Sequence, residues 1–367
     1  MQYELFMYLP LWAYYINESK NVRRFFMLVL GIETSCDDTG IGIVDTERNI
    51  RANVVASQLI AHKPYGGVVP EIAARAHLDV IDDVVAQALK DAKINLSDLS
   101  GIAATTGPGL IGGVMVGSMM GKAIAAVRDL PFISINHLEA HALTARLTDD
   151  VQFPYLLLLA SGGHCQLLVV LGIGNYKVLG RTIDDAIGEC FDKCAKMLGL
   201  GYPGGPLIEQ AAQGGQADAF DLPRPMMGRA GCDFSFSGLK TAVRTHLQGQ
   251  TLTPRLVADM AASLQNAIAD SVADRARHAF QMLQKDKQFI TTFVAAGGVA
   301  ANQALCLRLK TLAAENNVHF AAPPPKLCTD NGVMVAWAGL ERLRLGLIDG
   351  LDAKARPRWP LDEIRVS

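Results

Sequence analysis

Apolar residues gather at positions 27–32, give way to the polar run Glu33-Thr34-Ser35-Cys36-Asp37-Asp38-Thr39-Gly40, and return at 41–45. Two short apolar segments around a polar turn predict a β-hairpin, and this turn carries carboxylates. Over 71–92 the apolar residues recur every third or fourth position, which predicts a helix. Residues 102–105 read as a buried strand. It runs into Thr106-Gly107-Pro108-Gly109-Leu110-Ile111-Gly112-Gly113, a glycine-rich turn opening a helix of small residues through about Val127. The amides of such a turn suit an anion, and its glycines equally suit tight helix packing; the pattern leaves both readings open. A short strand at 132–135 then delivers the segment Asn136-His137-Leu138-Glu139-Ala140-His141.

The same order restarts further on. Strands at 155–160 and 165–171 flank the turn Ser161-Gly162-Gly163-His164, and a late strand at 293–296 enters Gly297-Gly298-Val299-Ala300-Ala301-Asn302, where a helix begins. A last helix is predicted from Gly332 to about Leu345, with Pro357 and Pro360 marking the tail. Two strand-turn-strand units, each followed by helices and further strands, suggest a duplicated α/β architecture. At 367 residues the chain exceeds what one core usually fills, so two lobes are expected. We place them at 27–150 and 151–332, with 333–367 forming a final helix that returns toward the first lobe, and a tail.

Residues 1–26 stand apart. Their apolar, aromatic run at 5–15 contains Pro10 and is too short to cross a bilayer, and it lacks the basic start of a secretory signal. We expect an extension outside the fold, and no membrane association. The seven cysteines (Cys36, Cys165, Cys190, Cys194, Cys232, Cys306, Cys328) form no even framework, which fits reduced thiols in a cytoplasmic protein. Cys190 and Cys194 lack the second pair of a zinc site, so a helix face is the simpler reading. A net charge of −2 gives no global pull toward nucleic acid. Any such contact must be local, and Arg224, Arg229, Lys240, Arg244 and His246 gather around a Pro- and Gly-rich stretch.

His137 and His141 carry the clearest chemical signal, because residues four apart on a helix point their side chains the same way. Two imidazoles leave a metal underligated. Asp330, in Cys328-Thr329-Asp330-Asn331-Gly332, is the candidate third donor, although an Asp just before an apolar helix also suits an N-cap. In a zinc peptidase a glutamate follows the first histidine directly; here that place holds Leu138, and Glu139 lies about 100° further round. Two histidines and a carboxylate instead suit Fe(II) or Zn(II) as a Lewis acid. Four glycine turns, at 107–113, 161–164, 204–205 and 297–298, leave room for a nucleotide, and none ends as a P-loop does.

Taken in order, these motifs resemble the TsaD/Kae/Qri universal family, whose bacterial members are tRNA adenosine threonylcarbamoyltransferases once labelled O-sialoglycoprotein endopeptidases. The resemblance covers residues 27 to about 350. It rests on Gly31-Ile32-Glu33-Thr34-Ser35-Cys36-Asp37-Asp38-Thr39, Thr106-Gly107-Pro108-Gly109-Leu110, Asn136-His137 with His141, and Ser161-Gly162-Gly163-His164. Further carriers are Gly188-Glu189-Cys190-Phe191-Asp192-Lys193, Tyr202-Pro203-Gly204-Gly205-Pro206, Phe234-Ser235-Phe236-Ser237-Gly238-Leu239-Lys240-Thr241 and Gly297-Gly298-Val299.

The resemblance implies an actin-like ATPase fold, shared with sugar kinases and chaperone ATPases, in which two RNase H-like lobes flank a nucleotide cleft. It implies metal ligands at His137, His141 and Asp330, with Fe(II) placed ahead of Zn(II). It implies a substrate-contacting turn at Ala160, Ser161, Gly162, Gly163 and His164, and nucleoside contacts at Asp192, Gly205, Glu209 and Asn302. The implied reaction takes the threonylcarbamoyl group of threonylcarbamoyl-AMP to N6 of the adenosine 3′ of the anticodon in tRNAs reading ANN codons. Asp37 or Asp38 is our candidate base. Implied partners are tRNA, a degenerate actin-like paralogue of TsaB type and a small ATPase of TsaE type. A metal-dependent glycopeptidase and an actin-like-fold small-molecule kinase are the alternatives. Cys165, Ala140 and Ala300 replace the family's usual Thr, Gly and Ser, all small changes that leave the ligands intact.

Overall fold

The computed structural model describes residues 26–65 and 67–364; the extension expected at 1–26 lies, apart from Phe26, outside the described residues. Three strands in succession, β1 (Leu28–Glu33), β2 (Asp38–Asp45) and β3 (Ile50–Ser57), pair antiparallel. The short helix α1 (Leu59–His62) and the long α2 (Pro70–Ala92) then lead to β4 (Gly101–Gly107), which joins β1 in parallel. Helix α3 (Ile111–Arg128) crosses to β5 (Phe132–Asn136), parallel to β4, and α4 (His137–Thr148) starts at once.

The second half repeats this plan. Strands β6 (Tyr155–Ala160), β7 (Cys165–Gly172) and β8 (Asn175–Arg181) form the antiparallel meander. Helices α5 (Ile187–Met197), α6 (Gly204–Ala211), α7 (Ser237–Leu247) and α8 (Pro254–Lys285) follow. Strand β9 (Thr292–Ala296) joins β6 in parallel, and after α9 (Gln303–Glu315) strand β10 (His319–Ala321) joins β9. Among the described residues the sheet orders are β3-β2-β1-β4-β5 and β10-β9-β6-β7-β8. Read from the meander outward, the two orders are the same, so the repeat suspected from the hairpins is a repeat of topology. Parallel strands covered on both faces need apolar residues on both, and β1, β4, β5, β6 and β9 are buried throughout.

After the short α10 (Pro325–Cys328), the final helix α11 (Gly332–Arg344) leaves the second half and lies on the first sheet. Its approach is possible only because of glycine. A Cβ on Gly42 would stand 2.2 Å from Val333 N, and one on Gly332 would stand 2.1 Å from Gly42 N. Backbone rests on backbone, which carries the start of α11 to the end of the β1–β2 hairpin. Trp337, Val333 and Ala336 of α11 are buried with Val29, Ala103 and Ile133 of the sheet and Leu143 of α4 in one apolar cluster.

A candidate metal centre between two hairpin turns

The C-terminal ends of β1, β4 and β5 converge, and each delivers polar groups to one place. At the end of β5, Asn136 caps α4: its Oδ1 accepts from Leu138 N (2.9 Å) and Glu139 N (3.3 Å), while its Nδ2 donates to the Trp359 carbonyl. This cap starts the helix at His137, so His137 and His141 occupy its first two turns with both rings buried. The ring centroids are 4.7 Å apart and nearly perpendicular.

Asp330 completes the group. Its Oδ1 lies 3.0 Å from His141 Nε2 and 3.6 Å from His137 Nε2, and one donor atom from each of the three residues falls within 4.8 Å of the others. The N-cap of α11 is Asn331, whose Oδ1 accepts from Met334 N at 3.0 Å. Asp330 is thereby released from capping and faces the histidines.

A buried carboxylate stands behind the triad. Glu33, the last residue of β1, accepts from Ser35 N (2.6 Å) and Thr105 Oγ1 (2.6 Å) and lies 3.1 Å from His137 Nδ1. With Nδ1 turned to Glu33 and to Ser35 Oγ, also 3.1 Å away, His137 presents Nε2 toward Asp330. A ligating histidine held through its other nitrogen is a common metal-site arrangement, and the donor set suits a divalent ion. Glu33 went unnoticed in the sequence because it reads there as one more polar turn residue.

Charge agrees with this geometry. Burial opposes the charged form of His137, yet Asp330 and Glu33 outweigh it and raise its pKa to about 9. Burial pushes Asp330 upward, and His137 with His141 outweighs that and holds the carboxyl well below the usual range. His164, from the β6–β7 turn, feels the same group; burial first, then repulsion from His137 and His141, lowers its pKa to about 4.

The remaining candidates come from both halves of the fold. Ser161 and His164 close their turn through Ser161 N to the His164 carbonyl (2.8 Å), with Gly162 and Gly163 exposed between them and Ala160 buried at the strand end. Asp192 accepts from Gly204 N at 2.7 Å, and burial raises its pKa, with Glu189 and Asp37 adding repulsion. Gly205 follows at the start of α6 and has open space where a Cβ would be. Glu209 accepts from Gln303 N (2.7 Å), and Asn302 caps α9 through Leu305 N while donating to Gln265 Oε1 (2.9 Å). On the first hairpin, Asp37 and Asp38 are partly exposed. Burial leads the causes that raise the Asp38 pKa to about 6, and its Oδ1 makes no hydrogen bond.

Packing bears on two further sequence readings. In the turn at 107–113, Gly109 N donates to the Pro357 carbonyl and Leu110 N to the Ser35 carbonyl, so these amides bind protein. In the basic stretch, Arg224 is held by Asp270 through Nε (3.2 Å) and Nη2 (3.1 Å), and His246 rests against Phe220. Arg229 and Arg244 are exposed.

The description "TsaD: tRNA N6-adenosine threonylcarbamoyltransferase" matches residues 49–337. The chain belongs to the TsaD family. Relatives of that name include one from Paramagnetospirillum magneticum, 58% identical over 92% of this chain and 97% of its own, and one from Rhodospirillum rubrum, 56% identical over 91% and 94%. This TsaD-family chain is accordingly a tRNA-modifying transferase. Among solved structures, HypF of T. kodakarensis superposes with a TM-score of 0.58 at 15% identity, over 88% of this chain and 48% of that one. The activator of 2-hydroxyisocaproyl-CoA dehydratase from Clostridium difficile, solved with bound ADPNP, gives 0.51 at 15% identity over 89% and 100%. These likenesses and the two matching sheets are those of the actin-like ATPase fold.

Proposed function

We propose that this TsaD-family chain transfers the threonylcarbamoyl group of threonylcarbamoyl-AMP to N6 of the adenosine 3′ of the anticodon in tRNAs reading ANN codons. The observation that carries the reading is the junction of His137, His141 and Asp330 with the carboxylate-bearing turn of one hairpin and the glycine turn of the other. A divalent ion held by those three residues, Fe(II) ahead of Zn(II), supplies Lewis acidity for the charge that develops on a carbonyl or phosphate oxygen.

The chain's own residues do the rest. The turn from Ala160 to His164 orients the acyl group, and Asp192, Gly205, Glu209 and Asn302 border the nucleoside. As N6 bonds to the carbamoyl carbon and the bond to the phosphate oxygen breaks, AMP departs and N6 sheds a proton. Asp38, with Asp37 beside it, accepts that proton, and a pKa near 6 suits a base working at neutral pH.

The peptidase alternative loses its remaining residue. Glu139 is wholly buried and bound to Arg342, Tyr176 and Gly174 on the side of α4 away from the histidines, where it reaches no substrate.

We propose tRNA as the macromolecular substrate, a TsaB-type actin-like partner and a TsaE-type ATPase as helpers, and the cytoplasm as the location. All seven cysteines are unpaired, in keeping with a reducing compartment. Helix α3 is long and apolar enough to cross a bilayer, but its inner face packs on β4 and Thr34. Ile111, Met115 and Met119, each about half exposed, form a stripe at helical spacing that supports a protein partner there. We retain the division at 27–150, 151–332 and 333–367. The deciding experiment supplies threonine, bicarbonate, ATP, both helpers and tRNA, and scores threonylcarbamoyladenosine by nucleoside mass. Product from wild type and none from His141→Ala is expected; equal product from both would remove the triad from the reaction.

A further inference from the structure

Helix α4 has a second charged face, opposite its histidines. Taking about 100° per residue, Glu139 lies roughly 180° from the midpoint of His137 and His141, and Arg146 falls within about 20° of Glu139. Both are charged, and both are directed into the protein. Glu139 is fully buried: Oε2 accepts from Arg342 Nε at 2.8 Å, and Oε1 accepts from Tyr176 Oη at 2.8 Å and Gly174 N at 3.0 Å. Arg146 donates through Nε (2.6 Å) and Nη2 (3.0 Å) to the two oxygens of Glu341, through Nη1 to the Val151 carbonyl, and lies on the Phe153 ring.

The two pairs exchange charge. Helix α4 gives an acid and then a base, and α11 answers with adjacent Glu341 and Arg342. Such a pair of buried bridges admits one register: sliding either helix by a turn would leave charges buried without partners, a state far costlier than an apolar contact. Helix α11 therefore meets α4 on both sides. The residue before its cap, Asp330, reaches the histidine face, and its last turn grips the opposite face. Tyr176 and Gly174 belong to the β7–β8 hairpin of the second sheet, so the same carboxylate also ties that sheet to the histidine helix.

We propose that Glu139 and Arg342, with Tyr176, are positioning residues for the metal site. Their clamp holds α4 and α11 in the register that keeps His137, His141 and Asp330 at ligand distance. The proposal rests on the metal reading of that triad and assigns to it a control seated on the far side of the helix.

The test uses the full chain, titrated with Zn(II) against a competing chelator, and the absorption spectrum of the Co(II)-loaded protein. Glu139→Gln is expected to weaken Zn(II) binding by about 10- to 100-fold, as loss of groups supporting metal ligands does, and to shift the Co(II) bands. Asp274→Asn, which breaks the buried pair with Arg275 in α8, serves as a control for general loss of stability and is expected to leave affinity and spectrum unchanged. Wild-type affinity and spectrum in Glu139→Gln, with only a lower melting temperature, would overturn the proposal. Should Glu139→Gln not fold, Tyr176→Phe decides: it removes one hydroxyl and no charge, a several-fold weaker Zn(II) affinity is expected, and an unchanged one overturns the proposal. A wild-type chain that binds neither ion would overturn the metal reading itself, a result distinct from equal binding by wild type and variants.

Discussion

Asp330 Oδ1 stands 3.0 Å from His141 Nε2 across 189 residues of chain. Nothing local brings them together; the contact exists because α11 returns to the first sheet and because Asn331 takes the cap. Replacing either residue by Ala should abolish stoichiometric divalent metal and lower transfer by at least about 100-fold, since several kcal/mol of charge stabilisation disappear. Elemental analysis of the purified variants, paired with nucleoside mass, checks both effects.

Metal binding should release protons and weaken in acid. In the metal-free chain His137 carries its proton up to about pH 9, and a ligating imidazole must give it up. Zn(II) affinity should therefore fall as pH drops below 9, by up to tenfold per unit while this one proton is exchanged. The metal-free fold responds in the opposite direction. A raised pKa stabilises the folded state fully below the ordinary value of 6.5, and that contribution is lost as pH rises through about 9. Melting curves of chelator-treated protein from pH 6 to pH 10 should show this decline.

Asp38→Asn should separate activity from stability. As a base, Asp38 must be ionised, so the wild-type rate should climb as pH rises through about 6, and the variant should lose that limb along with about 10²- to 10⁴-fold in rate. The raised pKa also means that ionised Asp38 weakens the fold: stability from this group declines as pH rises from about 4 toward 6. At neutral pH the Asn variant should then melt slightly higher than wild type. A variant that melts higher and keeps its full rate would shift the base assignment to Asp37.

Gly42→Ala should act at a distance. Its Cβ would stand 2.2 Å from Val333 N, so α11 must lift from the sheet, at a cost of about 1–3 kcal/mol or more. The denaturant midpoint should fall, and Zn(II) affinity should fall with it because Asp330 moves with α11.

Much of this was legible in sequence because it is local. Both hairpins, the histidine helix and the glycine-rich turn follow from periodicity and from residues adjacent in the chain. Edge strands were harder: in β3 exposed Arg51, Asn53 and Val55 alternate with more buried neighbours, a weak signal for a strand that has one partner among the described residues. Helix α8 mixes Ala, Asp, Arg and Gln through its 32 residues, and no narrow apolar stripe announces it. The supporting groups of the site were invisible for another reason. Glu33 and Glu139 are acids that read as surface positions, and only the assembled fold shows what surrounds them. Asp330 could be read as either cap or ligand until Asn331 was seen to fill the cap.

The seating of α11 on β1 and β2 also bears on how the protein is made. A ribosome delivers the first hairpin long before α11, so the sheet bearing Glu33 waits through the synthesis of the whole second half for the helix that covers it. The third ligand emerges in that same late segment. A nascent chain that stops short of Asp330 would therefore hold the two histidines without the third of the proposed ligands.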